Sequence, residues 1–533
     1  MSGIHHITLI TGNVQANVDF YAGFLGMRLV KRTGGYEDAT QLHLFYGDGT
    51  GSPGTLLTFF VWEAGSPGRV GHGQVSEIAL AIDPASIGFW LTRALSRNMR
   101  ISGPAQEFGE PVLRLTDPDG IAVKLVGVAG AVPRSPWASE GVPEEHAIRH
   151  IRAATILTEK PQETEDFLAA HFGYRFAGRN ESIRRMAGDG GDAIDIRDAR
   201  GFWTSAPGTG TVDHVAFRAA DLGAVEKLFD ELRGSDAVVT DVHDRKYFHS
   251  IYVREPNGVL LELATDAPGM MVDEPYETLG TKLWVPPSLG NQAEDIKTML
   301  PQFAMPGEER IVYRELPFVH RFYVPDNPDG SVLVLLHGSG GNEASLMPLA
   351  ARMAPRAKLL GVRGRATEEG MPRWFRRYSP TTFDQKDVAF EAEAFAAFVA
   401  QATEAYDLPR AATAFVGYSN GANLLAALMT LKPGVVDKAV LMRAMPVLDN
   451  PAHADLTGTE VLMIAGREDQ LYASYSEGLK QMLASRGATV EAHVVEATHE
   501  LGEADVELAR QWLEPRLRPV PTSRERFDGF RPA

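Results

Sequence analysis

The chain has no cysteine, which excludes disulfides, thiolate metal sites and a cysteine nucleophile together. It also lacks any run of roughly 18 uninterrupted apolar residues, the length a membrane-spanning helix needs, and its N-terminus lacks the basic-then-apolar order of a secretion signal. Positive charge is in short supply: 52 basic residues face 69 acidic ones, and the formal charge of -17 repels phosphate backbones and anionic lipid head groups. No nucleic-acid partner, no membrane and a cytoplasmic location are therefore expected, and a homo-oligomer is compatible with the same composition. What is present is ordinary for a folded protein, 44% hydrophobic and 23% charged residues. The 533 residues exceed what one core fills, about 250 to 300 residues, so several domains are expected.

Internal similarity organises the first half. Thr8-Leu9-Ile10-Thr11, Asp19-Phe20 and Leu25-Gly26-Met27-Arg28 recur as Thr155-Ile156-Leu157-Thr158, Asp166-Phe167 and Phe172-Gly173-Tyr174-Arg175, all at one offset of 147 residues. Asp117-Pro118-Asp119-Gly120 recurs as Glu255-Pro256-Asn257-Gly258, at an offset of 138. Four units follow, each an apolar strand, a helix such as Val14 to Leu25, and further strands between Gly/Asp/Pro turns. This β-α-β-β-β order, running over about residues 3 to 265, resembles the vicinal oxygen chelate superfamily. The resemblance implies that βαβββ modules pair around a metal ion, with ligands drawn from the first and last strands of paired modules.

Aligned in that way, the first-strand position holds His6, Glu77, Ala153 and His214 in successive units. The last-strand position, four residues past a turn glycine, holds Thr58 after Gly54, Lys124 after Gly120 and Glu262 after Gly258. Pairing units one and four joins His6, His214 and Glu262, with Thr58 in the fourth place. Two imidazoles and a carboxylate suit ferrous iron, because three octahedral positions stay open for substrate and dioxygen; manganese is the alternative ion. Glu77, Lys124 and Ala153 would set an ammonium beside a carboxylate with no imidazole, so that module pair is expected to be a degenerate structural repeat. A single histidine on a strand is more often a hydrogen-bonded core residue than a ligand. The weight rests on three ligand-competent residues reaching matched positions of one pair. Thr58 argues against a lactoylglutathione lyase, which would want a fourth protein ligand.

Within the superfamily, residues 3 to 290 resemble the hydroquinone-type ring-cleaving dioxygenases. The resemblance is carried by Gly3-Ile4-His5-His6-Ile7-Thr8, Phe20-Tyr21, Leu25-Gly26, Arg28-Leu29-Val30-Lys31, and Asp244-Arg245 through Tyr252 to Glu262-Leu263-Ala264-Thr265-Asp266. It implies that His5 and Thr8 lie just behind the ligands and that Arg245 and Tyr252 line the substrate pocket, with a small aromatic diol and dioxygen as substrates. Arg245 suits a phenolate charge, and Tyr252 or His5 suits proton transfer. The blander reading makes Arg245 a solvated loop charge and Tyr252 an ordinary strand aromatic. The chain departs from the family at Asp213, where members often carry a second histidine. This departure bears on proton handling and ring-substituent preference, and leaves the three ligand positions as they are.

From about Asp273 to Glu308 the sequence turns Pro-rich and weakly periodic, as a linker does. Beyond it, strands alternate with amphipathic helices, the order of a parallel sheet with helices on both faces. Ser331 to Leu336 reads as a buried strand running into His337-Gly338-Ser339-Gly340-Gly341. Gly417-Tyr418-Ser419-Asn420-Gly421 lies between the strand Thr413 to Val416 and the helix Ala422 to Met429, the strand-turn-helix setting a G-x-S-x-G elbow requires. Asp469 ends the strand Val461 to Ala465, and His499 follows the strand Ala492 to Val495, giving the order Ser, acid, His. Ser419 is the expected nucleophile, His499 its base, Asp469 the orienting acid, and the amides of Ser339 and Asn420 the oxyanion donors. His453 precedes the acid and is the poorer base. About residues 310 to 515 resemble the carboxylesterase/phospholipase family of small α/β-hydrolases.

The expectation is a multidomain chain: vicinal oxygen chelate modules one and two over 1-135, modules three and four over 136-270, a linker over 271-308, an α/β-hydrolase over 309-515 and a tail over 516-533. The expected function is bifunctional: iron-dependent extradiol-type cleavage of hydroquinones, then serine-dependent hydrolysis of the ring-opened product. The alternatives are a metal-free quinone- or drug-binding module, or a glyoxalase-like one, fused to an independent detoxifying carboxylesterase.

Overall fold

The computed structural model describes residues 3-36, 38-234, 238-310, 313-451 and 453-517. These divide into two compact units, one within Met1–Ala293 and Gln302–Ile311, the other within Glu294–Pro301 and Val312–Ala533. The expected tail lies outside the described residues from 518 onward; its first residue, Arg516, pairs with Glu460 at 2.8 Å.

The first unit contains the four βαβββ modules. Each opens on an apolar first strand, Ile4–Thr11, Gln74–Ile82, His150–Thr158 and Thr211–Ala219. All eight residues of Ile4–Thr11 are buried, as a strand packed on both faces demands. The modules combine by position in the chain, outer with outer and inner with inner. Modules one and four share a nine-stranded sheet, modules two and three an eight-stranded one. Each sheet is joined through antiparallel first strands, Ile4–Thr11 to Thr211–Ala219 and Gln74–Ile82 to His150–Thr158.

The repeated turns agree in detail. Gly120 and Gly258 both sit at φ +98°, a left-handed conformation that glycine adopts without steric cost. In each turn the leading carboxylate caps two amides: Asp117 those of Asp119 and Ile121, Glu255 those of Asn257 and Val259. The helix expected from Val14 to Leu25 is α-helical only over Val14–Val18 and widens into a π-turn over Asp19–Phe24.

In the inner sheet, Lys124 lies 2.9 Å from Glu77 and 3.1 Å from Glu107, and Arg114 lies 2.7 Å from Glu77. Ala153 pairs with Ala79. An ion-pair network thus takes in Glu77 and Lys124, the first- and last-strand positions that hold an imidazole and a carboxylate in the outer sheet. The segment after the fourth module also packs on this unit: Leu283–Trp284 extends the nine-stranded sheet beside Arg32 and Thr33. Lys31, fully buried, reaches Asp273 at 2.6 Å and also pairs with Glu274.

The second unit is a seven-stranded sheet in the order His320–Tyr323, Lys358–Val362, Val332–Leu336, Thr413–Tyr418, Lys438–Met442, Glu460–Gly466, Thr489–Val495. Only the first of these runs antiparallel to its neighbour. Helices Met347–Met353, Gln385–Tyr406, Asn420–Leu431 and Ser476–Ala484 lie between strands, and Glu503–Leu513 follows the last one. This is the α/β-hydrolase arrangement. Among the described residues no helix is long and apolar enough to cross a membrane.

Candidate metal centre and candidate hydrolase site

The metal-ligand candidates stand on the two strands that join the outer modules, and each strand carries a bulge. On Ile4–Thr11 the extra residue is His5, between the pairs Ile4–Phe217 and His6–Ala216; on Thr211–Ala219 it is Asp213, between Thr8–His214 and Leu9–Val212. A bulge breaks the alternation of side chains along a strand and re-aims them, so each extra residue meets the imidazole that follows it. His5 Nδ1 lies 2.9 Å from His6 Nδ1, and Asp213 Oδ2 lies 2.7 Å from His214 Nδ1. The other nitrogens turn to a common point. His6 Nε2 and His214 Nε2 are 3.4 Å apart, and each is 3.0 Å from Oε2 of Glu262. Glu262 reaches them from the adjacent parallel strand Leu260–Pro268, in register with Ala216.

This set fits a divalent cation. One ligand atom from each of the three residues lies within 4.8 Å of the others. Glu262 is fully buried, yet neither carboxylate oxygen meets a hydrogen-bond donor in good geometry, and a buried charge needs compensation. Burial opposes its ionisation, but His6 and His214 hold it well below the usual carboxylate range. Burial likewise opposes charging of His214, which Asp213 and Glu262 nevertheless raise to about 9. His5 is lowered to about 3 by burial and by His6. Proton and cation thus compete for one anionic pocket.

The other expected residues converge on the same face. Thr8 pairs with His214 on one side and Thr58 on the other, and the two hydroxyls are 2.8 Å apart. Tyr252 lies opposite Glu262, its ring 5.3 Å from that of His214; burial and Glu262 raise its phenol, keeping it protonated. The Arg245 guanidinium stands 5.7 Å from the Tyr252 ring and 5.1 Å from that of Tyr36. Phe248 packs 5.3 Å from His5 and 5.2 Å from His6.

One residue escaped the sequence reading. His43, on Leu42–Gly47, places Nε2 2.9 Å from the Thr58 hydroxyl, with its ring 4.2 Å from Phe45 and 4.4 Å from Phe60. Burial, then His6 and His214, push it well below its ordinary range, so it stays neutral. The available signal was a lone imidazole within the apolar run Leu42-His43-Leu44-Phe45.

In the second unit the three expected residues form one hydrogen-bonded chain. Ser419 Oγ is 2.9 Å from His499 Nε2, and His499 Nδ1 is 2.7 Å from Asp469 Oδ2. Oδ1 of Asp469 accepts from the amides of Leu471 and Tyr472 at 3.0 Å each. Burial works against that carboxylate, but His499 and these amides hold it below its ordinary range. Ser419 sits at φ +51°, ψ -114°, a strained conformation that a nucleophile elbow imposes. The flanking glycines are sterically required: a Cβ on Gly417 would lie 2.7 Å from the Ala422 nitrogen, and one on Gly421 2.2 Å from the Leu336 carbonyl oxygen.

The two expected oxyanion donors are fastened from behind. Asn420, the first residue of its helix, accepts from the Trp374 amide at 2.8 Å through its side chain. Ser339 Oγ accepts from Arg373 at 2.6 Å. His337 Nε2 accepts from the Gly364 amide at 3.0 Å, so its Nδ1 carries the proton donated to the Gly338 carbonyl at 2.6 Å. Arg443 escaped the sequence reading. Fully buried, it donates to the carbonyls of Thr498 and Glu500 at 2.9 Å each, one on either side of His499.

Known proteins resemble the chain in parts. Residues 3–125 and 147–263 match the family model described as "Glyoxalase/Bleomycin resistance protein/Dioxygenase superfamily". The "Putative ring-cleaving dioxygenase MhqO" of Bacillus subtilis (strain 168) is 37% identical over 310 residues, covering 58% of this chain and 97% of that protein. The "Chlorohydroquinone/hydroquinone 1,2-dioxygenase" of Sphingobium indicum is 36% identical over 313 residues, covering 56% and 96%. The "Putative hydrolase MhqD" of Bacillus subtilis (strain 168) is 38% identical over 183 residues, covering 34% and 92%.

Proposed function

Because the chain belongs to the Glyoxalase/Bleomycin resistance protein/Dioxygenase superfamily, with ring-cleaving dioxygenases among its relatives, we propose that it is a two-step catabolic enzyme. The first unit opens a hydroquinone-type ring with ferrous iron and dioxygen, and the second hydrolyses an acyl or activated C–C bond of the product. The observation that carries the first step is the convergence of His6 Nε2, His214 Nε2 and Glu262 Oε2. His6, His214 and Glu262 would hold a divalent ion, which as ferrous iron would supply coordination sites for substrate and one-electron exchange with dioxygen. Manganese fits the same donors.

The protein's own groups bind the diol and handle its protons. With Nε2 of His6 facing the cation, its Nδ1 carries the proton and donates to Nδ1 of His5. The proton of His5 then sits on Nε2, available for transfer. Tyr252 remains a protonated donor to an anionic oxygen, and Arg245 offers a fixed positive charge for a phenolate. Thr8 and Thr58, linked by their hydroxyls, form the polar floor of the pocket. His43, flanked by Phe45 and Phe60, gives a para-diol a neutral partner for its second oxygen.

For the second step, Ser419 Oγ attacks a carbonyl carbon as its proton passes to His499 Nε2, and Asp469 stabilises the resulting imidazolium. The amides of Ser339 and Asn420 receive the developing oxyanion. Fusion of two halves that resemble separate proteins of one bacterium supports action in series. A hydrolase resembling a free-standing protein over 92% of its length also suits an independent esterase. Supplying the iron-loaded chain and its Ser419→Ala variant with substituted hydroquinones under oxygen separates the two. Series action leaves the variant with an accumulated ring-opened acid; one common final product from both proteins rules it out.

A further inference from the structure

We infer that Asp213 is a positioning residue that fastens the Nδ1–H of His214 and strengthens that imidazole's hold on the cation, so that the two histidine ligands act unequally. The inference rests on reading His6, His214 and Glu262 as a metal centre. Module duplication sets one bulged residue directly before each imidazole, His5 before His6 and Asp213 before His214. Both bulged side chains contact Nδ1 of the following ring, His5 through a nitrogen at 2.9 Å and Asp213 through a carboxylate oxygen at 2.7 Å. The backbone role of the two positions is the same, and the chemistry placed there differs. One ligand is backed by a neutral imidazole, the other by an anion.

The difference acts through the ligand atom. An Nδ1–H given to a carboxylate fixes the tautomer with Nε2 free, fixes the ring plane and makes Nε2 a stronger donor. His5 can do the first two but adds no negative charge. Asp213 also changes the charge of the site. A divalent cation with Glu262 alone leaves one uncompensated positive charge in a buried space, where charge is costly; Asp213 cancels it. Its side chain keeps partial contact with solvent, 29% against 4% for His214, so its own charge is not fully desolvated. An anion backing the ligand also favours the more oxidised state of a bound redox ion.

The test measures metal binding rather than turnover. Metal-free full-length protein is titrated with Co(II) and Mn(II) by calorimetry or chelator competition, for the parent and for Asp213→Asn and Asp213→His. Unfolding midpoints and Ser419-dependent ester hydrolysis are followed alongside. Both variants keep an acceptor for Nδ1–H and lose the charge, and having two guards against one that fails to fold. The expected result is a dissociation constant raised about 10- to 100-fold, a shift of the visible ligand-field band of the Co(II) form, and unchanged ester hydrolysis. A dissociation constant within threefold of the parent in a folded variant overturns the inference and leaves the metal centre standing. A parent that binds neither ion overturns both.

Discussion

Arg443 and Asp505 meet fully buried, Nη1 to Oδ1 at 2.7 Å and Nη2 to Oδ2 at 3.0 Å, behind the turn that carries His499. Removing one partner of a buried ion pair costs about 3–5 kcal/mol, whereas replacing both with apolar groups is often neutral. Asp505→Ala should therefore destabilise the second unit by about that amount. Arg443→Met with Asp505→Leu should recover most of the stability while kcat for ester hydrolysis stays low, because the carbonyls of Thr498 and Glu500 have lost their donor. Denaturant unfolding and ester kinetics on the same preparations check both parts; a double variant with full kcat would remove Arg443 from the positioning of His499.

Glu262→Gln keeps the size of the side chain and removes its charge. Bound metal should fall by at least tenfold, with ester hydrolysis unaffected. Metal analysis after gel filtration reads the first, and a chromogenic ester reads the second.

His43→Leu preserves the packing between Phe45 and Phe60 and deletes the polar edge. A buried hydrogen bond lost to substrate is worth about 1–3 kcal/mol, so KM for hydroquinone should rise about tenfold or more while metal content holds. Oxygen uptake at varied substrate concentration gives the split between KM and kcat.

Gly421→Ala would press a methyl group against the Leu336 carbonyl oxygen at the 2.2 Å approach. The elbow must shift to accept it, and hydrolysis should drop by two orders of magnitude or more, in keeping with a misplaced nucleophile. Circular dichroism should change little, since the sheet on either side is well packed.

Burial raises the Asp117 carboxyl to about 6. The folded chain then holds this proton more tightly than the unfolded chain, so the group lowers stability as pH rises from about 4 to about 6, and the loss persists above that. Asp117→Asn cannot ionise. The stability difference between variant and parent should move in the variant's favour by about 2 kcal/mol between pH 4.5 and 7, measured by urea unfolding at both values.

Much of this was legible in the one-dimensional text because the chain repeats its own punctuation. Matched turns ending in Gly120 and Gly258 fix where each last strand begins, and counting from them reaches Glu262. Pairing of outer with outer modules follows once only His6 and His214 offer imidazoles. The elbow at Ser419 was equally readable, since Gly417 and Gly421 are demanded by close approach of the backbone. The bulges were not, because a bulge is a mismatch between two strands some 200 residues apart and neither strand alone shows it. Asp213 thus read as a departure from the family, without the partner that the fold gives it. His43 and Arg443 stayed hidden for a related reason: each is marked only by a contact the fold makes, with the Thr58 hydroxyl in one case and with the backbone beside His499 in the other.

The union of first and last modules also bears on how the chain emerges during synthesis. His6 and His214 are separated by 208 positions, so the strand Ile4–Thr11 leaves the ribosome long before Thr211–Ala219 exists to pair with it. The middle modules complete their own sheet first, while the leading strand waits with one edge open, the condition in which nascent chains stick to one another. The proposed cation site is complete only once Glu262 of the fourth module has been made. Newly made polypeptide held short of its fourth module should be the stage most in need of chaperone protection.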